Sequence, residues 1–81
     1  MRQLINTTAQ LAEIIRGRRK VRRISQAELA TKLGITQGRF SALEADPSSL
    51  PLARLILLVK LLGLELIIRD KADEPASKAQ W

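Results

Sequence analysis

The sequence predicts a mainly α-helical bundle of four to five helices with one C-terminal β-strand that pairs across a homodimer. Apolar residues recur at helical spacing in separate segments, and capping or turn residues divide these segments. One late helix is apolar on nearly every side, so a second subunit is needed to cover it. The 81 residues suffice for one small domain, which we place at residues 1–70, followed by a flexible tail at residues 71–81.

The first helix is expected after a short arm or strand at residues 1–6. Thr7 or Thr8 caps it, Gln10 follows three residues after Thr7, and the helix runs to about Val21. Its end is strongly basic, with six cations in eight residues: Arg16, Arg18, Arg19, Lys20, Arg22 and Arg23. Such a run either complements the helix dipole or supplies contacts to phosphate.

Residues 25–44 predict two short helices joined by a glycine turn. Ser25 caps the first, and together with Glu28 it matches a capping box, in which each side chain bonds the other residue's backbone amide. Gly34 stands where this helix must end, a position suited to positive φ. The residues expected to face the core are Leu29, Ala30 and Leu33.

The second helix of this pair is expected from Thr36, its cap, to Glu44. Phe40 and Leu43 face inward, and the outward side chains are polar: Gln37, Arg39 and Ser41. Two helices, a turn with glycine and a polar second helix make up a helix-turn-helix motif. The alternative is a helical hairpin that serves packing only.

A further helix begins near Pro51, which suits a first helical turn, and ends at Gly63. Residues 64–69 then alternate in the manner of a half-buried strand. This strand must pair with the N-terminal segment or with the same strand of a second chain. We expect a homodimer whose contacts include Leu57, Leu61, Leu64, Leu66, Ile67 and Ile68. In the polar tail, Trp81 is either a frayed end or an anchor for a partner's pocket.

Composition excludes several classes of protein. Histidine and cysteine are absent, so the usual transition-metal ligands and the commonest catalytic base are missing. We therefore expect no enzyme activity, no metal and no cofactor, and nothing indicates a small-molecule ligand. The N-terminus lacks a signal-peptide pattern, and the apolar stretch at residues 50–68 is interrupted by charged residues, which argues against a membrane span.

The net charge of +6 is unevenly distributed along the chain. Residues 1–43 hold nine Lys or Arg against two acids, a net charge of +7, whereas residues 44–81 hold five against six, a net of −1. The positive field therefore surrounds the helix-turn-helix, as expected for a surface that binds nucleic acid. Since the absence of cysteine is compatible with an intracellular compartment, we expect a cytoplasmic, nucleoid-associated protein.

The motif closely resembles the lambda-repressor-like (Xre) family of DNA-binding proteins. The matching residues are Ser25-Gln26, Glu28-Leu29-Ala30, Lys32-Leu33-Gly34, Gln37, Phe40, Ser41 and Glu44. The resemblance implies that Arg19 and Glu44 form a structural ion pair and that Gln26 contacts a phosphate. It also implies double-stranded operator DNA, with an inverted repeat, as the partner.

On the recognition helix, the chemistry of each side chain predicts its role on the DNA. Gln37 is suited to bond adenine N6 and N7, and Arg39 to take guanine O6 and N7 or a phosphate. Thr36 and Ser41 suit phosphates, and Gly38 lets the backbone approach the DNA. The salt-dependent part of the affinity is expected from Arg16, Arg18, Lys20 and Arg22.

The dimer helix, the strand after it and the terminal Trp together look like the HipB-type antitoxins. This resemblance implies a homodimer that represses its own operon and neutralises a HipA-type serine/threonine kinase toxin. The alternatives are a stand-alone Xre repressor without a toxin, and an interaction module that mainly masks a kinase. One departure concerns the corner before Ser25, where the family often has glycine and this chain has Arg22-Arg23-Ile24.

Overall fold

The computed structural model describes residues 1–71, and its helices confirm the predicted mainly α-helical bundle. Each helix lies within a residue or two of its predicted bounds. In chain order they are α1 (Thr8–Val21), α2 (Gln26–Leu33), α3 (Gln37–Ala45) and α4 (Leu52–Leu61), with a 3₁₀ turn (Pro47–Ser49) between α3 and α4. The predicted tail beyond residue 71, including Trp81, lies outside the described residues.

Side-chain caps start the first three helices. At α1, the Gln10 amide donates to Thr7 Oγ1 (3.2 Å) and the Thr7 amide donates to Gln10 Oε1 (3.1 Å), which completes a capping box. At α2 the predicted box is half formed: the Glu28 amide donates to Ser25 Oγ (3.0 Å), but within residues 1–71 the Glu28 carboxylate accepts no bond from the Ser25 amide. Thr36 caps α3 as predicted.

Left-handed residues end three of the four helices. Gly34 ends α2 with φ +74° and Gly63 follows α4 with φ +73°, as their positions in the sequence predict. The corner after α1 keeps the same shape without glycine, because Arg23 adopts φ +56°. The departure from the family pattern therefore leaves the connection between α1 and α2 intact.

One hydrophobic core joins all four helices. Its buried members are Ile15, Leu29, Ala30, Leu33, Phe40, Leu58 and Leu62. Phe40 lies at its centre and exposes only 1% of its surface, so truncating it to alanine would cost about 3–5 kcal/mol. The core thus holds the back of α3 rigidly and leaves the other side of that helix outward.

The apolar surface of α4 is only partly covered. Leu58 and Val59 are buried, whereas Leu52 is 66% exposed and both Ile56 and Leu57 are 41% exposed. No helix in residues 1–71 is long and apolar enough to span a bilayer. The uncovered face is consistent with the cover that the sequence predicts from a second subunit.

Residues 64–71 form no strand within the described part of the chain, neither with the N-terminal segment nor otherwise. A strand that pairs across a two-fold axis takes its backbone bonds from a second chain, so a single chain does not test that pairing. Leu66, Ile67 and Ile68 are 46%, 71% and 96% exposed. The dimer strand therefore stays a prediction, with its apolar side chains available for a partner.

Candidate nucleic-acid interface

The exposed side of α3 is built from small and polar side chains. Phe40, Leu43 and Glu44 are buried against the rest of the fold, and this fixes the opposite side of the helix toward solvent. All five predicted contact residues of this segment are exposed: Thr36, Gln37, Gly38, Arg39 and Ser41. The structure therefore leaves every predicted contact residue of this segment open to solvent.

Gln37 and Arg39 lie in the first turn of α3 with their side-chain hydrogen-bonding groups unused. Neither side chain bonds to any residue between 1 and 71, so their donors and acceptors are available to base edges or phosphates. Thr36 Oγ1 accepts from the Arg39 amide at 3.1 Å, which leaves its hydroxyl hydrogen free. A Cβ built at Gly38 would meet nothing within 4 Å, so the backbone is open to solvent there.

An ion pair fixes α3 to α1, as the resemblance implies. Arg19 Nε donates to Glu44 Oε2 at 2.6 Å and Arg19 Nη2 donates to Glu44 Oε1 at 3.2 Å, a two-bond arrangement. The third guanidinium nitrogen, Nη1, donates to the Ile24 carbonyl at 3.1 Å. Glu44 is only 4% exposed, so its charge depends on this partner.

Gln26 belongs to the same network, which its sequence position does not reveal. Its Nε2 donates to Glu44 Oε1 at 2.9 Å, and the residue is half-buried. One amide hydrogen remains to donate to a phosphate or to water, and the amide oxygen remains to accept from water. The predicted phosphate contact at Gln26 is thus compatible with the fold, and Glu44 holds the Gln26 side chain in position.

The network also controls the ionisation of Glu44. Burial by itself raises the pKa of Glu44, but hydrogen bonds from Arg19 and Gln26, together with the charges of Arg19 and Arg16, lower it more. The pKa of Glu44 therefore lies below its ordinary value of 4.5. Glu44 is a carboxylate at neutral pH, and its hydrogen bonds join α3 to α1 and α2.

The basic residues of α1 separate into two groups. Arg18 Nε donates to the Leu62 carbonyl at 3.2 Å, and the Arg22 guanidinium lies where a Cβ on Gly63 would clash with it. Both arginines thus pack on the end of α4. Arg16 and Lys20 are exposed and make no side-chain hydrogen bond within residues 1–71. Arg16 and Lys20 are therefore the cations of this group without a described contact, whereas Arg22 is exposed but lies against Gly63.

Sequence reasoning missed a second arginine that supports the motif. Arg54 on α4 donates from Nη1 to the Leu33 carbonyl at the end of α2. Like Arg18, it places a positive charge at the negative end of another helix. No group of His, Cys, Asp and Glu suited to a metal occurs among residues 1–71.

These features define the class of the protein. A rigid helix-turn-helix presents an exposed polar helix, and the positive charge is concentrated in the same half of the chain. The chain is a helix-turn-helix DNA-binding protein.

The comparisons with known proteins narrow this class. The family described as a helix-turn-helix domain matches residues 3–70. A structure of a HipA-HipB-O2-O3 complex contains a chain with 30% identity and a TM-score of 0.75, with 86% of this chain and 99% of that chain covered. A HipB-O1-O2 complex matches with 30% identity and a TM-score of 0.74, over 85% of this chain and 100% of that chain.

A third solved structure, a HipB variant with an O2 20-mer, has 31% identity and a TM-score of 0.75, over 86% of this chain and 97% of that chain. No curated protein sequence matches the chain. The chain belongs to the helix-turn-helix domain family and is a HipB-type member of it.

Proposed function

We propose that this chain is a homodimeric repressor that binds an inverted-repeat operator in its own operon. The observation that carries the proposal is the exposed, unpartnered polar face of α3, held rigid by the buried Arg19–Glu44 pair. The similar HipB structures with O1, O2 and O3 support this choice of ligand. The chain would act as a cytoplasmic, nucleoid-associated binding protein without catalytic activity.

On the operator, Gln37 reads adenine through N6 and N7, and Arg39 takes a guanine or a phosphate. Thr36, Ser41 and Gln26 position the motif on the phosphate backbone. Arg16 and Lys20 add attraction that does not depend on sequence. The open backbone at Gly38 lets α3 lie close to the DNA.

The uncovered face of α4 and the exposed residues Leu66, Ile67 and Ile68 supply the dimer contacts in this proposal. A two-fold axis there pairs two copies of α3. In helix-turn-helix dimers the recognition helices enter successive major grooves about 34–36 Å apart. The operator is therefore an inverted repeat with that half-site spacing.

We further propose that the dimer binds and neutralises a HipA-type serine/threonine kinase. The support is the similarity to HipB, which occurs in a solved complex with HipA. The proposed anchor, Trp81, lies outside the described residues. A stand-alone repressor is the alternative, and co-purification of the full chain with the product of a neighbouring gene decides between them. A stable complex with a kinase supports neutralisation, and its absence supports the stand-alone repressor.

The DNA proposal is tested by comparing Gln37→Ala with Lys20→Ala in binding titrations. The probes are the DNA upstream of the chain's own gene and a scrambled duplex of equal length. Gln37→Ala should lose about 1–3 kcal/mol of discrimination between the probes, because one base pair per half-site is no longer read. Lys20→Ala should weaken binding to both probes alike. Unchanged discrimination in Gln37→Ala would remove Gln37 from the interface.

A further inference from the structure

Three helices end in the same hydrogen-bonded turn, and only one lacks glycine. In each, two successive amides after the helix bond back to carbonyls of the last turn: Arg23 to Lys20 and Ile24 to Arg19, Gly34 to Thr31 and Ile35 to Ala30, Gly63 to Lys60 and Leu64 to Val59. The first residue of each pair has positive φ. This is the Schellman arrangement, in which glycine is the usual residue.

The turns agree in their apolar contact as well. Ile24, Ile35 and Leu64, which follow the left-handed residue, are half-buried and pack against the core. The three positions are therefore equivalent in backbone and in packing. Two of them carry glycine, and the third carries Arg23, whose Cβ makes a left-handed conformation unfavourable.

Two backbone hydrogen bonds and the packing of Ile24 hold this turn, but the Arg23 side chain adds no contact to it within residues 1–71. The Arg23 side chain is exposed and makes no hydrogen bond or ion pair with any described residue. Three neighbouring arginines differ, because Arg19 binds Glu44, Arg18 binds the Leu62 carbonyl and Arg22 lies on Gly63. The dipole of α1 is already complemented by Arg18, Arg19 and Lys20 in its last turn.

The position of Arg23 suggests what its side chain binds. It lies two residues before Ser25, the cap of α2, and three before Gln26, which is tied through Glu44 to the recognition helix. A strained residue that the fold does not use is retained most readily for function. An unpartnered guanidinium at this end of α2 suits a phosphate group.

We propose that Arg23 is a further phosphate contact with double-stranded DNA, retained at the cost of a strained turn. The proposal rests on the proposed function in DNA binding. Arg23 adds affinity that depends on salt and not on base sequence. In this proposal Arg23 lowers folding stability through its strained backbone and raises DNA affinity through its charge.

The test compares full-length wild type with Arg23→Gly, Arg23→Asn and Arg23→Lys. Arg23→Gly should unfold at a higher denaturant concentration than wild type, because glycine adopts positive φ without strain. The same variant should bind a mixed-sequence DNA duplex more weakly, by about eightfold at 0.1 M salt for each phosphate that Arg23 neutralises in wild type. Its slope of log K against log salt should shrink by about 0.9 for each such phosphate.

The other two variants separate the effect of the side-chain charge from the effect of the backbone strain. Asn tolerates the left-handed region, so Arg23→Asn should resemble Arg23→Gly in its salt slope, whereas Arg23→Lys should keep the wild-type slope. Lys60→Gln, which removes one exposed charge from α4 outside the helix-turn-helix, is the matched control and should change the slope little.

A wild-type salt slope and affinity in Arg23→Gly would overturn the proposal. Weaker binding to a kinase partner with unchanged DNA binding would also overturn it, and would assign Arg23 to a protein interface. A different result would refute the proposed repressor function: wild type would then show no preference for the DNA upstream of its own gene.

Discussion

At the scale of single residues, Glu44 shows how a side chain within the helix-turn-helix can be bound by its own fold. It accepts hydrogen bonds from Arg19 and Gln26 and is almost fully buried. These contacts tie α1 and α2 to α3. Removing one member of a buried pair leaves the other charge without compensation, which is more costly than losing the pair's own attraction.

Glu44→Gln should therefore destabilise the fold by about 3 kcal/mol or more at neutral pH, because Arg19 is left charged without a counter-charge. Denaturant unfolding monitored by circular dichroism measures this loss. Glu13→Gln, at an exposed position of α1, is the control and should change stability by less than about 0.5 kcal/mol. A loss as small as that of the control would show that the pair contributes little.

The pH dependence follows from the direction of the Glu44 pKa. A carboxyl group whose pKa is lower in the folded state contributes stability that is fully present above its unfolded-state pKa. That contribution is lost as the pH falls from about 4.5 through the lower pKa of the folded state. Wild type should thus lose stability more steeply than Glu44→Gln below pH 4.5, and parallel acid profiles would contradict this.

At the scale of secondary-structure elements, arginines from one helix support the end of another. Arg18 of α1 bonds the Leu62 carbonyl after α4, and Arg54 of α4 bonds the Leu33 carbonyl at the end of α2. A helix leaves its last carbonyls without partners inside the helix, so these donors satisfy groups that would otherwise rely on water. The three helices are thereby joined in addition to their shared core.

Arg18→Met should affect mainly folding stability, whereas Lys20→Ala should affect mainly DNA binding. Arg18→Met loses a charged hydrogen bond to Leu62 and should cost about 1–2 kcal/mol of stability, with little change in the slope of log K against log salt. Lys20→Ala removes an exposed side chain and should change stability by less than about 0.5 kcal/mol while reducing that slope. Equal effects of both variants on the salt slope would show that Arg18 also contacts DNA.

The two helical glycines with open surroundings provide a matched pair. A Cβ at Gly17 or at Gly38 would meet nothing within 4 Å. Gly17→Ala should raise stability by about 0.5–1 kcal/mol, and Gly38→Ala, in the first turn of α3, should raise it by at most that amount. Gly38→Ala alone should weaken binding to the DNA upstream of the gene. Equal DNA affinity in the two variants would show that α3 does not approach the DNA closely at Gly38.

At the scale of the whole molecule, the apolar surface exceeds what one copy of the chain covers. Leu52, Ile56 and Leu57 on α4 are partly exposed, and so is the stretch from Leu66 to Ile68. Scattered exposed apolar side chains are ordinary, but these two groups follow one helix and the segment after it. The arrangement supports the proposed homodimer.

Ile68→Glu should separate the dimer without unfolding the monomer, because Ile68 is 96% exposed in the single chain. Sedimentation should show a monomer, and the affinity for the DNA upstream of the gene should fall because each half-site is then bound alone. Val21→Glu, at another exposed apolar position, is the control and should leave the sedimentation unchanged. A dimeric Ile68→Glu would exclude Ile68 from the interface.

Much of the fold was predictable because helix signals are local. Ser25 and Thr36 cap the helices they were predicted to cap, and Thr7 is the cap of α1 where the sequence offered Thr7 or Thr8. Gly34 ends α2 and Gly63 follows α4. The periodicity of apolar residues likewise identified the buried sides of α2 and α3. The cross-chain strand was not open to the same test, because its hydrogen bonds belong to a second molecule.

By itself, then, the sequence determined the helices, their buried faces and the polar surface of α3, since these depend on neighbours within one or two helical turns. Only the tertiary structure decided which contacts the charged and polar residues around these helices make. Gln26 meets Glu44 across 18 residues and Arg18 meets Leu62 across 44. Such contacts depend on how the helices cross, so identical arginines in one basic run serve different purposes.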